Sequence, residues 1–101
     1  MNQKLNTGNL FVTELISNKL QNEKFAFFVE HCLTRHKSCD WGELEEEDKE
    51  INTLALNENE RILSAYNLYN LKEDFNLPND KIWIITERDR STTTILFPSE
   101  Y

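Results

Sequence analysis

Five polar residues of this chain belong to types that carry out chemistry elsewhere: His36, Asp40, Arg61, Glu87 and Arg90. A carboxylate beside an imidazole sets the ring's tautomer and raises its basicity, which is what general base catalysis asks of a histidine. His36 and Asp40 are four residues apart, but a predicted helix end and turn lie between them and break helical i, i+4 geometry. The guanidinium forks of Arg61 and Arg90 could grip a phosphate or a carboxylate through paired hydrogen bonds. With His36 as base or acid and Tyr66 or Thr92 as positioning hydroxyls, these residues would make a metal-independent ribonuclease site. Each also has a structural alternative. A histidine in the last turn of a helix answers the helix dipole, and a turn aspartate acts as a cap. Arg61 would pair with Glu58 or Glu60, and Arg90 with Asp40 or Glu87. In a chain this acidic, the structural pairing is the favoured reading.

A different chemistry lies in the distribution of charge. Nine acids fall between Asp40 and Glu60, against Lys49 alone. Glu43, Glu45, Glu46, Glu47, Asp48 and Glu50 crowd the start of one predicted helix, where acids suit the positive pole. Their density exceeds what capping requires. Together with Asp40 and Trp41 they form a candidate electrostatic contact surface for a basic partner. Trp41 and Trp83 would be anchors of an interface if exposed. Trp41 is expected to fold back on the core beside the turn, while Trp83 alternates onto the sheet face opposite Ile82 and Ile84.

The totals exclude several classes. A length of 101 residues implies one domain, and a formal net charge of −7 disfavours direct binding to DNA, RNA or anionic lipid. No apolar run reaches membrane-spanning length and Met1 to Asn6 lacks a signal-peptide core, so a cytoplasmic location is expected. There a disulfide between Cys32 and Cys39 is not expected. Cys32 reads as a small core residue and Cys39 as an exposed turn thiol. His31 and His36 are the only histidines, and no phosphate loop, nucleophile elbow or metal motif is present, so neither metal nor cofactor is expected.

The elements that must position these groups follow from periodicity. Asn9 to Val12 reads as an edge strand, and Thr13 opens a short helix to Leu20 with Leu15, Ile16 and Leu20 inward. Asn22 caps a longer helix whose residues Phe25, Phe28, Val29, Cys32 and Leu33 keep one apolar face, and Arg35, His36 and Lys37 end it. Ser38 to Gly42 is a turn. A third helix is predicted from about Leu44 to Asn57, with Leu44, Ile51, Leu54 and Ala55 facing in. Arg61 to Asn67 and Lys81 to Thr86 read as strands, Leu68 to Asp80 as a connecting loop, and Glu87 to Arg90 as the turn into a strand from Ser91 to Phe97. The expected fold is α+β, with about three helices on one face of a small antiparallel sheet of three to four strands.

Three blocks carry a resemblance: Arg35-His36 with Asp40-Trp41-Gly42-Glu43-Leu44 and Glu46-Glu47-Asp48-Lys49; Arg61 to Tyr66; and Lys81 to Tyr101. They resemble the small "plasmid-related" proteins of bacterial plasmids and conjugative elements, over roughly the C-terminal two-thirds of the chain. Cys39 stands where that pattern has Gly, so the turn here need not adopt positive φ. The Leu68 to Asp80 link is longer than usual. The resemblance implies a genomic setting rather than a mechanism. In that setting, a small acidic protein is expected to act as a counter-defence factor of the anti-CRISPR or antirestriction type, occupying a basic groove of a host nucleic-acid-handling protein. The alternatives are a RelE/barnase-like ribonuclease using His36, Arg61, Tyr66 and Arg90, and a homo-oligomeric accessory protein, a homodimer for example, associating through the Trp83 sheet face.

Overall fold

A computed structural model describes residues 5–69 and 71–101, without the side chains of Glu73 and Asp74. The chain runs β1 (Asn9–Val12), α1 (Glu14–Lys19), α2 (Glu23–Lys37), α3 (Glu46–Glu58), β2 (Ile62–Asn67), α4 (Leu71–Phe75), β3 (Lys81–Thr86) and β4 (Thr92–Leu96), then a 3-10 turn, Pro98–Glu100. The fold is a small α+β domain. Its sheet has the order β1-β4-β3-β2.

β2, β3 and β4 form the expected antiparallel meander, with Ser64 opposite Ile84 and Ile84 opposite Ile95. β1 joins β4 in parallel, so the sheet is mixed rather than purely antiparallel. A parallel neighbour needs a long crossover, and α1 to β3 supply it. The segment expected to be a plain loop contains α4, which Lys72 secures by an ion pair to Asp80 at 2.8 Å.

Strand alternation separates two faces. Ile62, Ser64, Tyr66, Ile82, Ile84, Thr86, Thr93 and Ile95 point to one of them and are buried. α2 lays Phe25, Val29, Cys32 and His36 on that face, with Ile16 from α1. Asn22 starts α2 by accepting hydrogen bonds from the Lys24 and Phe25 amides at 2.9 and 3.2 Å. The opposite face carries Trp83, half-buried as expected, with the Tyr101 ring packed edge-on at 5.7 Å.

α3 departs most from expectation. Its buried residues are Asn52 and Ala55, whereas Ile51 and Leu54 are 60% and 59% exposed. The helix runs along the free edge of β2, and Asn52 turns inward because that edge presents unpaired backbone. The Asn52 Nδ2 donates to the Leu63 carbonyl at 2.7 Å, and its Oδ1 accepts from the Leu63 amide at 3.3 Å. Binary patterning points the apolar residues inward; here an amide is worth more, because a strand edge left without partners is costly.

Candidate functional site

His36 is fully buried, in the last turn of α2, among hydroxyls from the sheet. Its Nδ1 lies 2.5 Å from Ser64 Oγ, and its Nε2 2.8 Å from Thr86 Oγ1. Thr86 Oγ1 is 2.7 Å from Thr93 Oγ1, which donates to the Thr7 carbonyl at 2.8 Å. The terminal carbonyl only accepts, and this fixes the protons from Thr93 back to His36 Nε2. Thr93 donates to Thr7, Thr86 to Thr93, and His36 Nε2–H to Thr86. Burial disfavours a charged ring, which leaves Nδ1 bare to accept from Ser64. The neutral Nε2–H tautomer follows. Burial pushes the His36 pKa down to about 4, as expected where no carboxylate faces the ring. Trp41, itself buried, closes the pocket edge-on at 5.9 Å.

Asp40 does not reach His36. Its carboxylate takes two hydrogen bonds from Arg35, at 2.8 and 3.2 Å, and one from the Gly42 amide at 3.1 Å. The Arg35 guanidinium beside it holds the Asp40 carboxyl below its ordinary range. Arg35 also stacks over the Tyr66 ring at 4.9 Å, and Tyr66 donates its hydroxyl to the Asp40 carbonyl at 2.8 Å. Burial raises the Tyr66 pKa, so its hydroxyl stays protonated in this role. Sequence reasoning placed Arg35 only as a helix-end cation. The available signal was its five-residue spacing to Asp40 across a helix C-terminus, within reach of a long guanidinium arm.

The turn that carries Asp40 is sewn to β2. Trp41 accepts from the Ala65 amide at 3.2 Å, and the Glu43 amide donates to the Ala65 carbonyl at 2.8 Å. Glu43 Oε1 accepts from the Asn67 amide at 3.2 Å and from the Tyr69 hydroxyl at 3.1 Å, and Arg35 reaches Oε2 at 3.4 Å. Gly42 sits at φ +78, where an added Cβ would lie 1.9 Å from the Ala65 carbonyl oxygen, so only glycine admits this approach. Cys39 adopts φ +65, which corrects the expectation that a non-glycine residue there relaxes the turn. It is half-buried rather than exposed, and burial raises its thiol pKa; Cys32 is pushed up to about 12. Both thiols are therefore poorly ionised at neutral pH, and neither is in a disulfide.

The arginines are likewise engaged, with partners other than those expected. Arg90 occupies a left-handed position, φ +61, in the β3–β4 turn. Its guanidinium donates to backbone carbonyls rather than carboxylates: Ala55 at 2.9 Å, Glu60 at 2.7 Å and Glu87 at 3.2 Å. Ala55 and Glu60 bracket the C-terminal end of α3, where the dipole is negative, and Arg90 adds to the Asn59 and Glu60 amides that the Ala55 carbonyl already accepts. The hairpin thus caps the acidic helix. Arg61 donates to the Tyr101 hydroxyl at 2.6 Å and pairs with Glu87 at 3.7 Å, while Glu60 pairs with Arg88 at 3.2 Å. Thr92 lies half-buried at the start of β4.

The ribonuclease arrangement is therefore not assembled. His36 is sealed inside the sheet layer, Tyr66 holds a turn, Arg90 caps a helix and Arg61 lies against the C-terminal tyrosine. Of the candidate binding residues, Trp41 is buried and Asp40 and Glu43 are held in the turn. Glu45, Glu46, Glu47, Asp48 and Glu50 are exposed along α3. Within that run, Lys49 pairs with Glu46 at 3.5 Å. Ile51 and Leu54 are exposed one turn apart on the flank of the helix, Ile51 at the lip of a groove of about 300 Å³ between α3 and β2 that Leu44, Asp48, Asn52, Arg61 and Leu63 also line. No family model, curated protein or solved structure matches this chain. Among the described residues, no cluster of His, Cys, Asp or Glu could hold a metal ion, and no helix is long and apolar enough to cross a membrane.

Proposed function

We propose that this protein is a non-enzymatic binding module whose outer α3 face docks onto a basic surface of a nucleic-acid-handling protein. The observation that carries this reading is the pairing of exposed acids with an exposed apolar ridge. Acids alone keep a protein soluble, and singly exposed apolar residues are ordinary. Ile51 and Leu54, each about three-fifths exposed one helical turn apart, add an apolar contact that solubility does not require. The acids steer and orient a Lys/Arg-rich partner, and the ridge supplies the desolvated centre. The resemblance to plasmid-related proteins directs this surface to a host defence nuclease or its guide complex, which makes the protein a counter-defence factor.

The test is inhibition of DNA cleavage by purified restriction and CRISPR nucleases over a salt series. The reading expects inhibition that weakens as salt rises, and its loss in a variant carrying Glu45→Lys, Glu46→Lys, Glu47→Lys and Asp48→Lys. Inhibition unchanged by salt and by these reversals would contradict it.

A further inference from the structure

The two edges of the sheet are treated in opposite ways. Along β2 the outward amides are satisfied, Leu63 by Asn52, Ala65 by Trp41 and Asn67 by the Glu43 side chain, as are the Leu63 and Ala65 carbonyls by Asn52 and the Glu43 amide. Along β1 the outer edge is bare among the described residues. The Asn9 amide donates to Ser91 at 2.9 Å and the Thr13 amide to Ile95 at 3.2 Å, so odd-numbered positions face β4. Alternation then aims the N–H and C=O groups of Leu10 and Val12 away from the sheet. The strand has no Lys, Pro or bulge to discourage pairing, and Leu10, Phe11 and Val12 are 44%, 53% and 38% exposed.

We infer that this edge pairs with the β1 edge of a second copy, antiparallel about a two-fold axis at Phe11, to give a continuous eight-stranded sheet. Charge selects this occupant. A chain of net charge −7 repels its own copy over most of its surface, and the stretch from Gly8 to Thr13 contains no charged residue, the Glu100 carboxylate that accepts from Thr13 at 2.6 Å lying at its end, away from the Phe11 axis. The antiparallel sense also sets Glu14 of one copy beside Gly8 of the other, where a parallel pairing would bring the two Glu14 carboxylates together. In this register Leu10 and Val12 form the closely hydrogen-bonded pairs, giving roughly four backbone bonds, while the two Phe11 side chains meet across a non-hydrogen-bonded pair. Because α3 lies at the far edge of each sheet, the dimer carries its two acidic faces at opposite ends. This assembly is independent of what α3 binds.

The contact is small, so the dimer is expected at about micromolar concentrations and above. Sedimentation equilibrium of the full chain, paired with hydrogen exchange, tests it. Wild type should dimerise reversibly, and the Leu10 and Val12 amides should gain protection with concentration. Leu10→Pro removes an N–H that faces outward and spares those that face β4, so it should weaken dimerisation at least tenfold at unchanged thermal unfolding. Should that variant fail to fold, Phe11→Lys tests the same contact by placing like charges at the axis. A monomeric wild type at several hundred micromolar overturns the proposal. So does a dimer that survives both substitutions, which would assign association to another surface such as that around Trp83.

Discussion

At the scale of single residues, His36 shows how a group with catalytic chemistry becomes a structural one. Its two ring nitrogens close a hydrogen-bonded chain joining α2, three strands and the segment before β1, and burial keeps that ring neutral. The folded state holds the ring neutral down to about 4, whereas an unfolded chain protonates it near 6.5. Between those values the unfolded state binds more protons, so stability is full above the upper value and is lost as pH falls towards the lower one. Urea unfolding should therefore show a loss of about 2 kcal/mol between about pH 7 and about pH 5 from this residue. His36→Gln should be less stable at the higher pH and should lack most of that slope. A wild-type slope equal to the variant's would show that the ring titrates without penalty.

The element scale turns on α3, whose inner side meets the β2 edge and whose outer side carries the proposed contact surface. Inward, Asn52 satisfies both backbone groups of Leu63. Asn52→Ala leaves a part-buried strand amide and carbonyl without their side-chain partner, and should cost about 1–3 kcal/mol in chemical denaturation. A change below about 0.5 kcal/mol would mean that water replaces the side chain there. Outward, Ile51 and Leu54 contribute little to the fold because they are already in solvent. Ile51→Ser with Leu54→Ser should shift stability by less than about 0.5 kcal/mol per site while weakening nuclease inhibition. A large loss of stability would return these residues to the core. α2 was legible in the sequence because its stripe repeats at helical spacing and carries a cap at one end and cations at the other. The inner face of α3 was not, because the residue that matters is an amide matched to a strand edge, and no periodicity of apolar residues reports an edge.

For the molecule as a whole, the sheet meander was readable because Lys81 to Thr86 is β-branched and aromatic and a polar turn follows it. The parallel placement of β1 was not, since four residues carry no mark of their partner and the crossover is set by the entire chain. The His36, Arg61, Tyr66 and Arg90 set was legible as chemistry but not as geometry: each residue type fits a catalytic role, and only three-dimensional contacts show that backbone carbonyls and neighbouring hydroxyls occupy it. Two of the outward-facing surfaces lie at opposite sides of the sheet, a strand edge without charged residues of its own and an acidic helix carrying Ile51 and Leu54. Charge is thereby concentrated along α3, where a basic partner is proposed, and sparse along β1, where a second copy is proposed.

The most direct test of that division is transformation efficiency of an unmodified plasmid into cells with an active restriction or CRISPR system. It is measured with wild type and with the Glu45, Glu46, Glu47 and Asp48 to lysine variant at matched expression and melting temperature. Wild-type protein should raise the efficiency at least tenfold, and the charge-reversed variant should return it to that of cells lacking the protein. Equal protection by both proteins, or none by wild type against any such system, would contradict the assignment of function to α3.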